Sequence, residues 1–135
     1  MPKEAWEMVS ENVNAQILDV RTQAEWGWVG VPNMGLLGKP LILVEWLTFP
    51  GSQKNPDFAE QLETQMATLG FDKTTPLLIL CRSGQRSRNA AKLLTSLGYN
   101  ECFNITHGFE GDPDDAKHRG TVNGWKVDDL PWIQG

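Results

Sequence analysis

Pro76 to Leu80 is a short, nearly all-apolar run, the pattern of a strand covered on both faces in a parallel sheet. Around it, apolar segments of strand length alternate with segments of helical period. Residues 3 to 12 carry Ala5, Trp6 and Val9 at near-helical spacing and predict a first helix. Gln16 to Val20 reads as a buried strand, and Pro40 to Trp46 as a second. Thr22-x-x-Glu25 has the form of a capping box and predicts a helical turn to Trp26. Pro32 to Gly38 is glycine-rich and expected to be irregular, and Gly51 to Asn55 is expected to be a loop. Pro56 suits the first turn of a helix running to Leu69, with Phe58, Leu62, Met66 and Leu69 on one face and Gly70 closing it. A further helix is expected over residues 87 to 97, ended by Gly98, and a further strand from Glu101 to Thr106. The tail from Gly108 is rich in Gly, Asp and Pro, with Trp6, Trp125 and Trp132 expected to pin the termini to the core. This alternation predicts an α/β fold with a mainly parallel central sheet and helices on both faces. No linker or repeat divides the 135 residues, so one domain over 1–135 is expected.

Composition narrows the function classes. No apolar run approaches the roughly 20 residues of a membrane helix. The net charge of -5 speaks against nonspecific nucleic-acid binding and against an anionic membrane surface, so neither is an expected partner. The start, Met-Pro-Lys-Glu-Ala-Trp, lacks the pattern of a secretory signal, which points to the cytoplasm. In that reducing compartment Cys81 and Cys102 are expected to be free thiols. One basic region breaks the acidic balance: Arg82, Arg86 and Arg88 crowd beside Cys81, and no acid lies between Lys73 and Glu101. It is a candidate pocket for a small anion.

The order there is strand, Cys81, a short loop of Arg82, Ser83, Gly84, Gln85, Arg86 and Ser87, then a helix. Ligands of open parallel sheets sit at the carboxyl ends of the strands. Loop N–H groups can turn inward as an anion nest, and a helix start adds unsatisfied donors and a positive dipole end. With Arg86 folded over the pocket and Arg82 at its rim, each of these favours thiolate over thiol. Cys81 is therefore the candidate nucleophile. Packing of Cys81 as an inert core thiol is the alternative, and it leaves the glycine and both arginines unaccounted for.

The loop resembles the active-site loop of the rhodanese family, the thiosulfate sulfurtransferases and their relatives. Ile17-Leu18-Asp19-Val20-Arg21 followed by Glu25-Trp26 resembles the early strand and Asp-x-Arg signature of that family. Gly108-Phe109 through Gly124-Trp125 and Leu130-Pro131 resembles its closing region. The chain departs from the family at Val29-Gly30-Val31-Pro32-Asn33, where a histidine is usual, at His107-Gly108 where a Gly-Gly pair is common, and in a longer stretch from Glu110 to Asn123. The resemblance implies a rhodanese-like domain of the single-domain thiosulfate sulfurtransferase type. Phosphatases of related fold close a Cys-x5-Arg ring on an oxyanion; here Arg86 closes the shorter Cys-x4-Arg ring, Ser87 holds the x5 position and Arg88 lies one beyond. By that resemblance the shorter ring implies sulfur transfer.

The implied reaction moves a sulfane sulfur from a small anionic donor such as thiosulfate to a thiol, a protein cysteine or another thiophilic acceptor through a Cys81 persulfide, by a ping-pong cycle with no metal or cofactor. Loop N–H groups from Ser83 to Ser87 are expected to steady the charge on the terminal sulfur. Two rival readings keep the fold. One is a module that carries persulfide from a partner, or docks one, with little turnover of its own. The other is a Cys-dependent phosphatase or arsenate reductase.

Supporting roles divide less sharply. Asp19 suits either a hydrogen bond toward the loop or a turn acceptor. Arg21 and Glu25, four apart, suit a simple ion pair. Ser87 suits a persulfide contact or a helix cap. Cys102 reads as an inert thiol or a resolving partner for Cys81. His107 and His118 are too isolated for a metal site, and Asp112, Asp114 and Asp115 read as a solvated loop. Trp26, Trp28 and Trp46 fall in segments expected to neighbour the pocket.

Overall fold

The computed structural model describes residues 1–48 and 53–134. The described residues hold four α-helices and eight strands. They are α1 (Pro2–Glu11), β1 (Gln16–Asp19), α2 (Gln23–Trp28), β2 (Val31–Pro32), β3 (Ile42–Leu43), β4 (Leu47–Thr48), β5 (Gln53–Lys54), α3 (Phe58–Leu69), β6 (Leu77–Leu80), α4 (Gln85–Ser96), β7 (Cys102–Asn104) and β8 (Trp132–Ile133). A short 3-10 helix, Met34–Leu37, gives order to the stretch expected to be irregular. The central sheet runs β3-β1-β6-β7, and every pairing in it is parallel. Two antiparallel pairs, β2-β8 and β4-β5, lie outside it.

All four residues of β1 and all four of β6 are buried; β6 is apolar throughout, as a strand covered on both faces favours, whereas β1 buries Gln16 and Asp19 at its ends. Alternate residues feed two cores. Leu18, Ile42, Leu77 and Ile79 face Phe58, Leu62 and Met66 of α3 and Ala90 and Leu94 of α4. Ile17, Leu78, Leu80 and Ile105 face Ala5 and Val9 of α1, together with Phe109 and Trp125. Helices thus cover both faces of the sheet. The Thr22 capping box forms as read, with Thr22 Oγ1 accepting from Glu25 N and the Glu25 carboxylate accepting from Thr22 N. Gly70 ends α3 in the left-handed conformation.

Several boundaries differ from the sequence reading. The strand expected over Pro40 to Trp46 pairs as strand only at Ile42–Leu43, though Val44 N and Trp46 N go on to donate to Asp19 O and Val20 O. Gln53–Lys54 is not loop but pairs with Leu47–Thr48, while Gly51 and Ser52 lie outside the described residues. Helix α3 starts after Pro56 rather than at it, and Leu69 on its last turn is 40% exposed. Glu101 to Thr106 pairs only over Cys102–Asn104. Trp125 is fully buried with Trp6 against it edge-on, but Trp132 lies on the surface strand β8 and anchors through Phe109 instead. The Asp112–Asp115 stretch is organised from within, since Asp114 accepts from Ala116 N, His118 N and Thr121 Oγ1.

Candidate functional site

Cys81 follows the last residue of β6 and sits at the carboxyl end of the sheet, 1% exposed. Its Sγ accepts a hydrogen bond from Gly84 N at 3.0 Å and lies 3.3 Å from Ser87 Oγ. Gly84, at φ +110°, is the residue before α4, and this left-handed turn aims its N–H back at the sulfur. Helix α4 begins at Gln85, two residues before the expected start, so Arg86 and Ser87 lie in its first turn. Ser87 is therefore not the cap. It is fully buried, and its hydroxyl donates to Asn104 Oδ1 at the end of β7. A hydroxyl has one proton to donate. Beside a neutral thiol, Ser87 gives that proton to Asn104 and receives the S–H; beside a thiolate, the sulfur competes for it. Asn104 was not singled out from the sequence. Its only signal there was its position, a polar residue closing the strand next to β6.

Arg86 does not fold over the sulfur. Its guanidinium grips the Glu25 carboxylate through two bonds, Nη1–Oε1 at 2.6 Å and Nη2–Oε2 at 3.0 Å, with both side chains about one-fifth exposed. Burial works against both charges, but the pairing outweighs it. Glu25 is held below its ordinary 4.5 by Arg86 and by the Thr22 backbone N–H, and Arg86 is pushed up by Glu25, Cys81 and Asp19. A carboxylate held low in the folded state stabilises above its unfolded pKa and loses that contribution as the pH falls through its folded pKa. Replacing Glu25 by Gln is therefore expected to cost about 1–2 kcal/mol at pH 7. In urea unfolding the difference from the parent should hold down to about pH 4.5 and shrink below it. A difference that is flat down to pH 3 would show that the ion pair contributes nothing.

Arg21 is not Glu25's partner. It lies fully buried with Asp19, donating from Nη2 to Oδ2 at 2.7 Å and from Nε to Oδ1 at 3.0 Å. The same Nη2 donates to Gly30 O, and the guanidinium stacks 4.3 Å over the Phe109 ring. Asp19 also accepts from Arg21 N, so the turn-acceptor reading holds and its carboxylate is spent on Arg21. The pair also reaches the loop through Phe109, whose N–H donates to Cys81 O.

That bond is part of a clamp. Phe109 N, Glu110 N and Gly111 N donate to Cys81 O and Arg82 O at 2.8, 3.0 and 3.1 Å, fastening the closing segment to the base of the loop. Gly108 makes this approach possible at φ +63°: a Cβ there would meet Cys81 O at 2.4 Å and Arg82 C at 2.7 Å. Gly108→Ala is expected to destabilise the chain by about 2–4 kcal/mol, read as a lower urea midpoint. An unchanged midpoint would mean that the clamp yields without cost.

Two adjoining cavities open on the loop. The smaller, about 350 Å³, has Cys81 at its floor, with Trp46, Leu47, Arg82, Ser83, Gln85, Arg86 and Asn89 around it. The larger, about 580 Å³, is walled by Thr22, Ala24, Glu25, Trp28, Val29 and Leu47 and shares Arg82 and Arg86. Trp46 and Trp28 thus neighbour the site as expected, and Trp26 is not part of either wall. Cys102 lies elsewhere, in a depression with Arg88 and Lys92, and burial pushes its thiol up against a lowering bond from Thr95. Both cysteines are free.

The family model of the STR4 middle domain matches residues 1–135. The chain belongs to the STR4 middle domain family. An uncharacterised protein of Rickettsia conorii is 39% identical over 129 residues, a match covering 95% of this chain and 90% of that one. Rhodanese-like domain-containing protein 4, chloroplastic, of Arabidopsis thaliana is 29% identical over 132 residues, 98% of this chain but 25% of that protein. The crystal structure of Rv0390 from M. tuberculosis superimposes with a TM-score of 0.90 at 41% identity, covering 100% of this chain and 96% of that one. The polysulfide-sulfur transferase homodimer of Wolinella succinogenes shares the fold, with a TM-score of 0.57 at 20% identity over 99% of this chain and 76% of that one. The chain thus has a rhodanese-like fold, and a rhodanese-like domain-containing protein is among its distant relatives.

Proposed function

We propose that this chain is a sulfurtransferase that moves a sulfane sulfur from thiosulfate or a related donor to a thiophilic acceptor through a Cys81 persulfide. The observation that carries the reading is the placement of Cys81 Sγ on the floor of a cavity, with the Gly84 N–H aimed at it from the start of α4. A fixed N–H and a helix start stabilise negative charge where it develops. The kinship with a rhodanese-like protein and the fold shared with a polysulfide-sulfur transferase support the same chemistry.

In the first half-reaction the Cys81 thiolate attacks the outer sulfur of thiosulfate. The new S–S bond forms as the donor's S–S bond breaks, and sulfite leaves with the electron pair. The negative charge of the attacking sulfur then resides on the terminal sulfur of the persulfide, beside the Gly84 N–H and within reach of Ser87. In the second half-reaction an acceptor thiolate takes that sulfur and Cys81 is returned as thiolate. Arg82 draws the anion in, Asp19 and Arg21 brace the loop through Phe109, and Ser83, Gln85 and Arg86 shape its wall. No metal or cofactor enters this scheme. The acceptor is a small thiol or a protein cysteine, and the free thiols suit the cytoplasm. Among the described residues no helix is long and apolar enough to cross a membrane.

The phosphatase reading fares worse. Ser87, at the Cys-x5-Arg position, is buried against Asn104, and Arg88 lines the depression beside Cys102 instead of the cavity over Cys81. The deciding experiment is intact-mass measurement after incubation with thiosulfate. One added sulfur atom, removed by a reductant, is expected. No addition, with Cys81 still alkylated by iodoacetamide, would overturn thiosulfate as donor and favour a carrier loaded by a partner protein.

A further inference from the structure

The charged side chains on the two cavity walls are Glu25, Arg82 and Arg86. Glu25 and Arg86 neutralise each other across two short bonds. Arg82 is exposed and takes part in none of the ion pairs among the described residues. Arg82 therefore brings to the two cavity walls the positive charge that no ion pair among the described residues neutralises.

The larger cavity adds an apolar wall of Ala24, Trp28, Val29 and Leu47 that is continuous, through Leu47 and Arg82, with the cavity over the sulfur. Trp28 is 83% exposed, although α2 buries none of its own side chains and is held by its capping box and by Glu25. The ring contributes little to the packing of the helix that carries it. A concave apolar wall with one convergent charge is the form of a small-ligand site. Thiosulfate brings two charges and no apolar surface, and matches neither feature.

Resting on the sulfurtransferase reading, we infer that the preferred donor is an organic monoanion: a sulfane sulfur borne by an apolar, ring-sized body with a single negative charge. The body lies against Trp28, Val29 and Leu47, and the charge meets Arg82. The outer sulfur reaches Cys81. With a thiosulfonate, the thiolate forms the S–S bond, the donor's S–S bond breaks, and the sulfinate leaves with the electron pair and one negative charge. With an organic persulfide the leaving group is the thiolate. In both cases charge and electrons balance without an oxidant.

Benzenethiosulfonate and methanethiosulfonate carry the same reacting group on a large and a small apolar body. Comparing the two between the parent and Trp28→Ala removes their intrinsic difference in reactivity. Trp28→Ala is expected to lower kcat/KM for the benzene donor about five- to tenfold more than for the methane donor. Equal losses for both would overturn the inference. A readout independent of turnover is calorimetric binding of benzenesulfinate, the inert product, to the Cys81→Ser protein. Saturable binding that weakens about five- to tenfold when Trp28→Ala is added is expected; binding indifferent to Trp28 would overturn the site. If no donor adds sulfur to Cys81 while benzenesulfinate binding still depends on Trp28, the sulfurtransferase reading falls and the monoanion site remains. If sulfur adds and that dependence is missing, the donor class alone falls.

Discussion

Cys81→Ser is expected to end sulfur loading altogether and to lower transfer from any donor by roughly a thousandfold or more. The serine hydroxyl is nearly isosteric and can still accept from Gly84 N and pair with Ser87, so the fold should survive. What it cannot do is form the S–S bond on which both half-reactions of the proposed cycle depend. The check has two parts. Urea unfolding should place the variant close to the parent, and intact mass after thiosulfate or benzenethiosulfonate should show no added sulfur. Undiminished transfer by a folded Cys81→Ser protein would sink the persulfide mechanism. Cys102 offers no ready substitute, since burial holds its thiol up and it faces a different depression.

Arg21→Met is expected to have the largest effect on stability. Asp19 and Arg21 are both fully buried; Arg21 gives its Nε–H, one Nη2–H and its backbone N–H to the Asp19 carboxylate, while its Nη1 is buried without a hydrogen-bond partner among the described residues. Removing the guanidinium leaves a carboxylate in the core without its cation, which costs about 3–5 kcal/mol. It also leaves Gly30 O without its donor and Phe109 without its stacked cation. The urea midpoint should fall sharply with the slope unchanged. Asp19→Leu combined with Arg21→Met should recover part of the loss, because no charge is then stranded; the Gly30 and Phe109 contacts stay lost. If the double variant were no better than the single one, the cost would lie in those contacts and not in the ion pair. Because Phe109 N–H holds the base of the Cys81 loop, sulfur loading should decline in the single variant even where it remains folded.

The reach of the sequence can be judged residue by residue. The order of strand, cysteine, glycine loop and helix was legible because it is local: a fully apolar run next to a helical period admits few other arrangements. The Thr22–Glu25 box and the Gly70 stop were legible for the same reason, since their bonds close within one turn. The pairing of Arg21 was misread because two acids stood within reach along the chain, one on each side. Spacing alone favours the one four residues on. Burial decided otherwise, by placing Arg21 beside Asp19 under Phe109 and leaving Glu25 on a surface helix opposite α4. Ser87 was misread as a possible cap because the helix start was set two residues late; once Gly84 takes the left-handed turn, Ser87 faces the core.

By itself, then, the sequence determined the parallel α/β class, the strand that ends at Cys81 and the loop that follows it. These depend on hydrophobic period and on contacts made within a few residues. Only the tertiary structure decided that Glu25 would take Arg86 out of the cavity's charge, that Asn104 Oδ1 would accept the Ser87 hydroxyl's hydrogen bond, that Gly108 would let the closing segment clamp the loop, and that Trp28 would wall the entrance. Each of these joins residues from different elements. Which elements meet depends on the strand order β3-β1-β6-β7 and on the packing of two cores at once. Periodicity states which face of an element is buried; it does not state which neighbour that face will meet.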